Sequence, residues 1–336
     1  MTGSIACFGE AVMRLGPPRG ETMLSAKRIE AHLGGAEVNV AAALAALGHS
    51  TRLISTLPAD LVGDAAMHAL RGFGIDTMAC LRRPGRLGLY YLVPGTPVTG
   101  AQVIYDRDDT AFARTRADEW DWSSLLGGCD WLHISGVTPA LGRRSADAAI
   151  AAARAARAAG LKVSFDGNWR GRLWERWDGD PRAILSSIIE QCDVLFGNHK
   201  DAALLLDRAF DGDGKGRRRE AALALFSRFP RLSLIASTAR MVIDPQRHTI
   251  RARLDTRQQA FQSDTVTICP IVDRIGTGDA FAAGIIDGLR REETLEDVLQ
   301  TGLALTAIKH GLAGDNAPVS RGMLSSADFA QADVRR

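Results

Sequence analysis

The chain has 336 residues, of which 46% are hydrophobic and 24% charged, with a formal net charge of +2. Its length exceeds the ~250–300 residues at which a single core usually stops growing, so one large domain with an appendage, or two domains, is expected. The charge gives no reason to expect nucleic acid or an anionic membrane as partner, no apolar run reaches transmembrane length, and MTGSIACFGE lacks the form of a secretion signal, so cytoplasmic residence is expected.

Strand-like and helix-like segments alternate along the chain. Residues 5–10 read as a strand, 36–48 as a helix stopped by Gly48, 51–57 as a strand and 64–74 as a helix. Strands follow at 131–136, 161–168, 193–198 and 232–238, with helices at 145–160, 181–191, 200–208 and 217–228. The β-branched stretch TVTICPIV precedes Asp273 as a strand, and a buried helix begins near Asp279. Alternation of this kind predicts an α/β fold built on a doubly wound, mainly parallel sheet. Two stretches break the pattern. Residues 11–33 and 86–107 are strand-rich with little helix signal, and predict a discontinuous β lid. The core would comprise 1–10, 34–85 and 108–336, with the lid over the sheet edge where ligands of such folds bind. The segment DGDGKGRRRE at 211–220 reads as a solvated loop entering a helix. Cys7, Cys80, Cys129, Cys192 and Cys269 are scattered without a CxxC, and the histidines show no ligand spacing, so neither a disulfide framework nor a zinc site is indicated.

No P-loop and no GxGxxG fingerprint is present. Two other glycine-rich segments stand at helix starts. In DRIGTGDAFAAGII, Gly276, Thr277, Gly278 and Asp279 meet a helix N-terminus, whose free N–H groups and partial positive charge suit an anion. Taken alone, this is equally a tight turn with a helix-start carboxylate. In LGGAEVNVAAALAALG, Gly34 and Gly35 precede Glu37 and Asn39. The glycines serve either a ligand's approach or close helix packing, and the residues alone do not decide between them.

Together the two segments closely resemble the signatures of the ribokinase/PfkB family of carbohydrate kinases, over the whole chain. Within it, GLYY (88–91), VIYDR (103–107), HISGVTPAL (133–141), SFDGNWRGRLW (164–174) and IKHGLAGD (308–315) are similar to the 2-keto-3-deoxygluconate kinase subgroup. The resemblance implies a ribokinase-like fold and transfer of the ATP γ-phosphoryl group to a hydroxyl of a sugar acid, 2-keto-3-deoxygluconate being converted to its 6-phosphate. Asp279 would be the base, and the amides of Gly276, Thr277 and Gly278 the anion hole. Thr277 departs from the family's usual alanine and raises the question of crowding. Gly35, Glu37, Asn39, Tyr90, Tyr105, Arg107, Arg170 and Asp315 would lie on the substrate, with Arg107 the better placed for its carboxylate. Asn168, Arg170, Asn198, Ser237, Thr238, Arg240, Gly276 and Gly278 would lie on ATP. Asp201 would help hold Mg²⁺ through water. STARMVI (237–243) stands where the family usually has a glycine-containing phosphate loop. Lys309 would lie near the adenine or be a helix-end cation. A homodimer is implied, with a sugar acid and ATP as small-molecule partners and no role for nucleic acid or membrane. A kinase for a neutral or related sugar, and a binding protein without catalysis, are the alternatives.

Overall fold

The computed structural model describes residues 3–96, 99–212 and 214–327. Residues 97 and 98 of the second predicted lid segment, 213 of the polar loop, and 1–2 and 328–336 of the predicted core lie outside the described residues. The main sheet has ten strands. Its path runs Ala260–Gln262, Arg247–Asp255, Leu234–Asp244, Val194–Phe196, Lys162–Asp166, Cys129–Ser135, Ser4–Phe8, Thr51–Pro58, Cys80–Arg83, and Val266–Ile268 pairs separately with Arg247–Asp255. The seven strands from Leu234–Asp244 to Cys80–Arg83 are parallel, and an antiparallel hairpin closes the other edge.

The inner strands are largely buried, as a sheet covered on both faces requires, with polar residues such as Ser55, His133 and Ser164 among the apolar ones. Ile5, Ala6, Cys7 and Phe8 are all fully buried. One face is covered by the helices Ala36–Ala46, Leu61–Gly72, Thr277–Arg290 and Leu295–His310, the other by Arg143–Ala158, Pro181–Ile189, His199–Leu206 and Lys215–Arg228. The alanine-rich runs Ala41–Ala43 and Ala280–Ala283 have so little side chain that helices 36–46 and 277–290 pack closely against each other and the sheet. From Ser4–Phe8 the chain moves to one side of the sheet and then returns to build the other. The reversal opens a crevice beyond the strand ends, where a doubly wound fold takes its ligand.

A second sheet of four strands lies apart from the first, in the order Glu30–Gly34, Val12–Gly16, Gly88–Val93, Gln102–Asp106. Its strands come from the two stretches that broke the helical alternation. Three readings change. STARMVI is no loop but part of the strand Leu234–Asp244, in register with Arg247–Asp255. TVTICPIV pairs only over Val266–Ile268 and then runs irregularly into the turn before Thr277. Helix Leu295–His310 was not foreseen.

Candidate active site

The segment from Asp273 to Asp279 is held at both ends. Asp273 Oδ1 accepts from the Ile275 amide at 3.0 Å, and its Oδ2 from the Gly314 amide at 3.2 Å. Gly276 caps the helix with φ 77°, and a Cβ built there would lie 1.9 Å from the Asp315 carbonyl oxygen, so only glycine fits. Helix Thr277–Arg290 then begins, and its first-turn N–H groups have no intrahelical acceptors. The Thr277 hydroxyl donates back to the Arg274 carbonyl at 2.9 Å. The β-branched side chain is thus tied to the preceding loop.

Asp279 is buried in the first turn of that helix, and Asn39 Nδ2 donates to its Oδ2 at 2.7 Å. Burial pushes the carboxyl up to about 7, against the pull of Asn39 and of the Arg170 charge. Asn39 Oδ1 is buried without a partner, leaving an acceptor for a ligand hydroxyl.

Asp279 closes a cavity of about 300 Å³ between the sheet edge and the small sheet. Gly35, Asn39, Tyr90, Tyr105, Arg107, Asn168, Arg170, Gly276, Thr277, Gly278 and Asp315 all line it. Gly35 has φ 131°, and a Cβ there would stand 2.3 Å from the Glu10 carbonyl oxygen, so close approach to that strand end requires the glycine. Asp166 also lines the cavity, with its carboxyl pushed up to about 8 by burial and by the charges of Asp279 and Asp201. Its Oδ1 accepts from the Asn168 amide at 3.0 Å and holds that residue at φ 35°.

Glu37 is the exception among the expected substrate residues. It lies outside the lining, and its Oε1 accepts from the Ser135 amide, the Ser135 hydroxyl and the Thr138 hydroxyl at 2.8, 2.9 and 2.8 Å. Residues two apart on a helix do not share a face. With Asn39 turned to Asp279, Glu37 turns to the end of strand Cys129–Ser135 and fastens its helix across the crevice. Two further residues have partners that local sequence does not disclose. Arg107 is buried and ion-paired with Glu10 through Nη2 at 2.7 Å, with Nε donating to the same oxygen. Asp315 Oδ2 accepts from the Tyr90 hydroxyl at 2.6 Å, and Oδ1 lies 2.8 Å from Arg14 Nε as an ion pair outside hydrogen-bond geometry. Glu10 stands two residues beyond the end of strand Ser4–Phe8, a position that could have flagged it. Arg14 gives no local signal, since its partners lie far along the chain. Lys309 is fully buried, its ammonium donating to the Leu312 carbonyl at 3.0 Å, so it is not a solvent-facing helix-end cation.

A second cavity of about 520 Å³ shares Asp166, Asn168 and Gly278 with the first and is lined also by Asn198, Lys200, Asp201, Ser237 and Thr238. A third, of about 250 Å³, adds Arg240. Of the expected nucleotide residues, Asn168, Asn198, Ser237, Thr238, Arg240 and Gly278 line these adjoining cavities, whereas Arg170 and Gly276, of the three cavities, line only the first. Asn198 caps helix His199–Leu206, its Oδ1 accepting from the Lys200 amide at 2.9 Å, while Asp201 Oδ2 accepts from the Asn198 amide at 2.7 Å. One oxygen of Asp201 is committed to that cap. Among the described residues no group of three or more His, Cys, Asp or Glu side chains is arranged for a metal. The chemistry fits a magnesium ion carried on phosphates and its own waters, with Asp201 at its outer edge. A phosphate chain fits the second cavity, between Lys200 and the helix amide end at Gly278.

The family model for pfkB family carbohydrate kinases matches residues 2–229. The chain is 31% identical over 320 residues to a 2-dehydro-3-deoxygalactonokinase of Haloferax volcanii, covering 95% of both chains. Its fold is similar to the crystal structure of a 2-dehydro-3-deoxygluconokinase from Thermotoga maritima, with 30% identity, a TM-score of 0.90 and coverage of 96% and 98%. A pfkB family carbohydrate kinase from Listeria grayi is similar at 31% identity and a TM-score of 0.89, with the same coverage. A carboxylate-bearing turn at a helix start, two joined cavities and a separate small sheet thus stand in a chain that belongs to the pfkB family of carbohydrate kinases.

Proposed function

We propose that this kinase phosphorylates a 2-keto-3-deoxy sugar acid, with 2-keto-3-deoxygluconate to its 6-phosphate as the leading reaction and ATP with Mg²⁺ as donor. The observation that carries it is Asp279, buried against the first cavity beside Gly278, which both cavities share, and aimed by Asn39. Its carboxylate takes the proton as the acceptor hydroxyl bonds to phosphorus. The amides of Gly276, Thr277 and Gly278 receive the charge that builds on the phosphoryl oxygens. ATP, held on Mg²⁺, supplies the phosphoryl group and departs as ADP. Gly35 and Asn39 meet sugar hydroxyls, and Tyr90 and Tyr105 cover the ring from the small sheet, which we read as a lid. Asn198, Ser237, Thr238 and Arg240 flank the nucleotide, with Asp201 on the water shell of its metal.

Arg170 is the better carboxylate ligand. It lines the sugar cavity, and among the described residues no carboxylate lies within ion-pair distance of it. Arg107 has turned two nitrogens to Glu10 and offers the substrate what remains of its five donors. The same pairing favours a second reading, a kinase for a neutral sugar, since it leaves one fewer free charge for an acid. An ADP-release assay with 2-keto-3-deoxygluconate, 2-keto-3-deoxygalactonate, fructose and ribose decides between them. We expect the acids to be strongly preferred, and Arg170→Ala to raise KM for the acid ~10–100-fold, as loss of a charge-assisted hydrogen bond implies. Equal turnover of fructose and the acids would favour the neutral-sugar reading.

A further inference from the structure

We infer that Arg14 is a positioning residue that ties the small sheet to the catalytic turn, so that the seating of the sheet over the sugar sets the geometry of the turn. The inference rests on the reading of Asp279 and its turn as the transfer centre.

Arg14 stands on strand Val12–Gly16, in register with Tyr90 of the neighbouring strand. It is buried but does not line the sugar cavity. Its guanidinium reaches two loops of the main domain. Nη2 donates to Asp273 Oδ2 at 2.8 Å, and Nε lies 2.8 Å from Asp315 Oδ1. Asp273 in turn holds the amides of Ile275 and Gly314. The backbone carbonyl of Asp315 packs where a side chain on Gly276 would stand. One side chain of the small sheet therefore touches both supports of the anion turn. Tyr90 adds a second grip on Asp315. The buried guanidinium is hydrogen-bonded to Asp273 and in charge contact with Asp315, and lifting the sheet would strip both acids of that partner at once. Lys309, buried and bonded to the Leu312 carbonyl, would remain as a cation that interacts with both acids. Because Arg14 stays out of the cavity wall, its influence on the reaction passes through Asp273 and Asp315, and a kcat effect without a sugar KM effect marks the route through the turn.

The full chain carrying Arg14→Met or Arg14→Lys tests this, with ATP, Mg²⁺ and 2-keto-3-deoxygalactonate or 2-keto-3-deoxygluconate as substrates. A displaced turn should lower kcat ~10–100-fold, the scale of a misplacement of about 1 Å, with KM for the sugar changed far less. Arg14→Lys should recover only part of kcat, because a single ammonium does not reproduce the guanidinium's two contacts. Hydrogen exchange on the ligand-free protein supplies a reading that needs no substrate. Residues 273–279 and 312–316 should lose protection in Arg14→Met and keep it in Asp279→Asn. A variant that only melts earlier with kcat intact, one that only raises sugar KM, or one with unchanged protection in both segments overturns the inference. If Arg14→Met does not fold, Arg14→Lys and Asp273→Asn carry the same measurements. Should Asp279→Asn retain turnover, the transfer-centre reading fails, while the exchange result still reports on the tie.

Discussion

At the scale of single residues, Asp279 is asked to be buried and yet ionised. Burial drives its carboxyl up to about 7, while Asn39 and Arg170 favour the charged form. As a base it acts only when deprotonated, so kcat/KM should rise with pH through about 7 and then level off. Asn39→Ala removes the strongest opposing pull and should move that limb to higher pH. Asp279→Asn should fold normally and lose ~10²–10⁴-fold in kcat, since an amide cannot take the proton. Steady-state kinetics across pH on the three proteins check this, and a mutant with near wild-type kcat would remove Asp279 from the role of base. The turn around Asp279 was legible because its features, glycines and a helix start, lie within a few residues of one another. Glu37 was misread because proximity in sequence says nothing about which way a helical side chain faces. The pairing of Arg107 with Glu10 was beyond reach for a different reason, a separation of 97 residues.

Among the elements, the turn ahead of helix Thr277–Arg290 shows how tightly one conformation can be specified. Gly276→Ala would set a methyl against the Asp315 carbonyl and force a non-glycine residue to φ 77°. A residue held in such a region costs about 1–3 kcal/mol, before the clash is counted. The variant should lose thermal stability and, because the anion turn must shift, most of its kcat. Calorimetry alongside kinetics would show both, and a stable, fully active Gly276→Ala enzyme would contradict the packing described. Helices with an apolar face and a clear stop, such as Arg143–Ala158 before Gly160, could be read from the chain. Helix Leu295–His310 was missed although Thr294 caps it, accepting from the Asp297 amide at 3.3 Å. Residues 237–243 were compared with a phosphate loop, but they alternate between two faces in a strand. Register with a partner strand fixed them, and that partner, Arg247–Asp255, had not been recognised.

Over the whole molecule, the charges of the site act on stability. Asp279 and Asp166 have carboxyls raised to about 7 and about 8, above the ordinary value of 3.8. Between about pH 4 and 8 the native protein holds protons that the unfolded chain has released, so these two groups lower stability as pH rises through that window. Asp166→Asn and Asp279→Asn should therefore raise the urea midpoint at pH 8, corresponding to an unfolding free energy higher by roughly 2–4 kcal/mol each, and leave it nearly unchanged at pH 4. A midpoint that falls at pH 8 would show that the charged forms are better satisfied than burial suggests. Asp287 works in the other direction. Burial raises its carboxyl, but His49, Arg291 and Arg321 outweigh that and hold it below its ordinary value. Its clasp, which joins the helix after the catalytic turn to the C-terminal segment through Arg321, weakens as acid protonates it. Bonds of this kind span 238 residues between His49 and Asp287 and 259 between Arg14 and Asp273, and no local pattern announces them.

The two glycines of the catalytic turn face different judges. Gly276 is demanded by the fold, since nothing larger can stand against Asp315. Gly278 is not, because a Cβ there would meet no atom within 4 Å. Inside a first helical turn an alanine would even favour the helix, by up to ~1 kcal/mol. On the proposed function, position 278 is kept bare by the transfer between the two cavities that it borders. A descendant of this chain released from catalysis would be free to fill position 278 early in its drift, while position 276 would stay glycine for as long as the protein still folded.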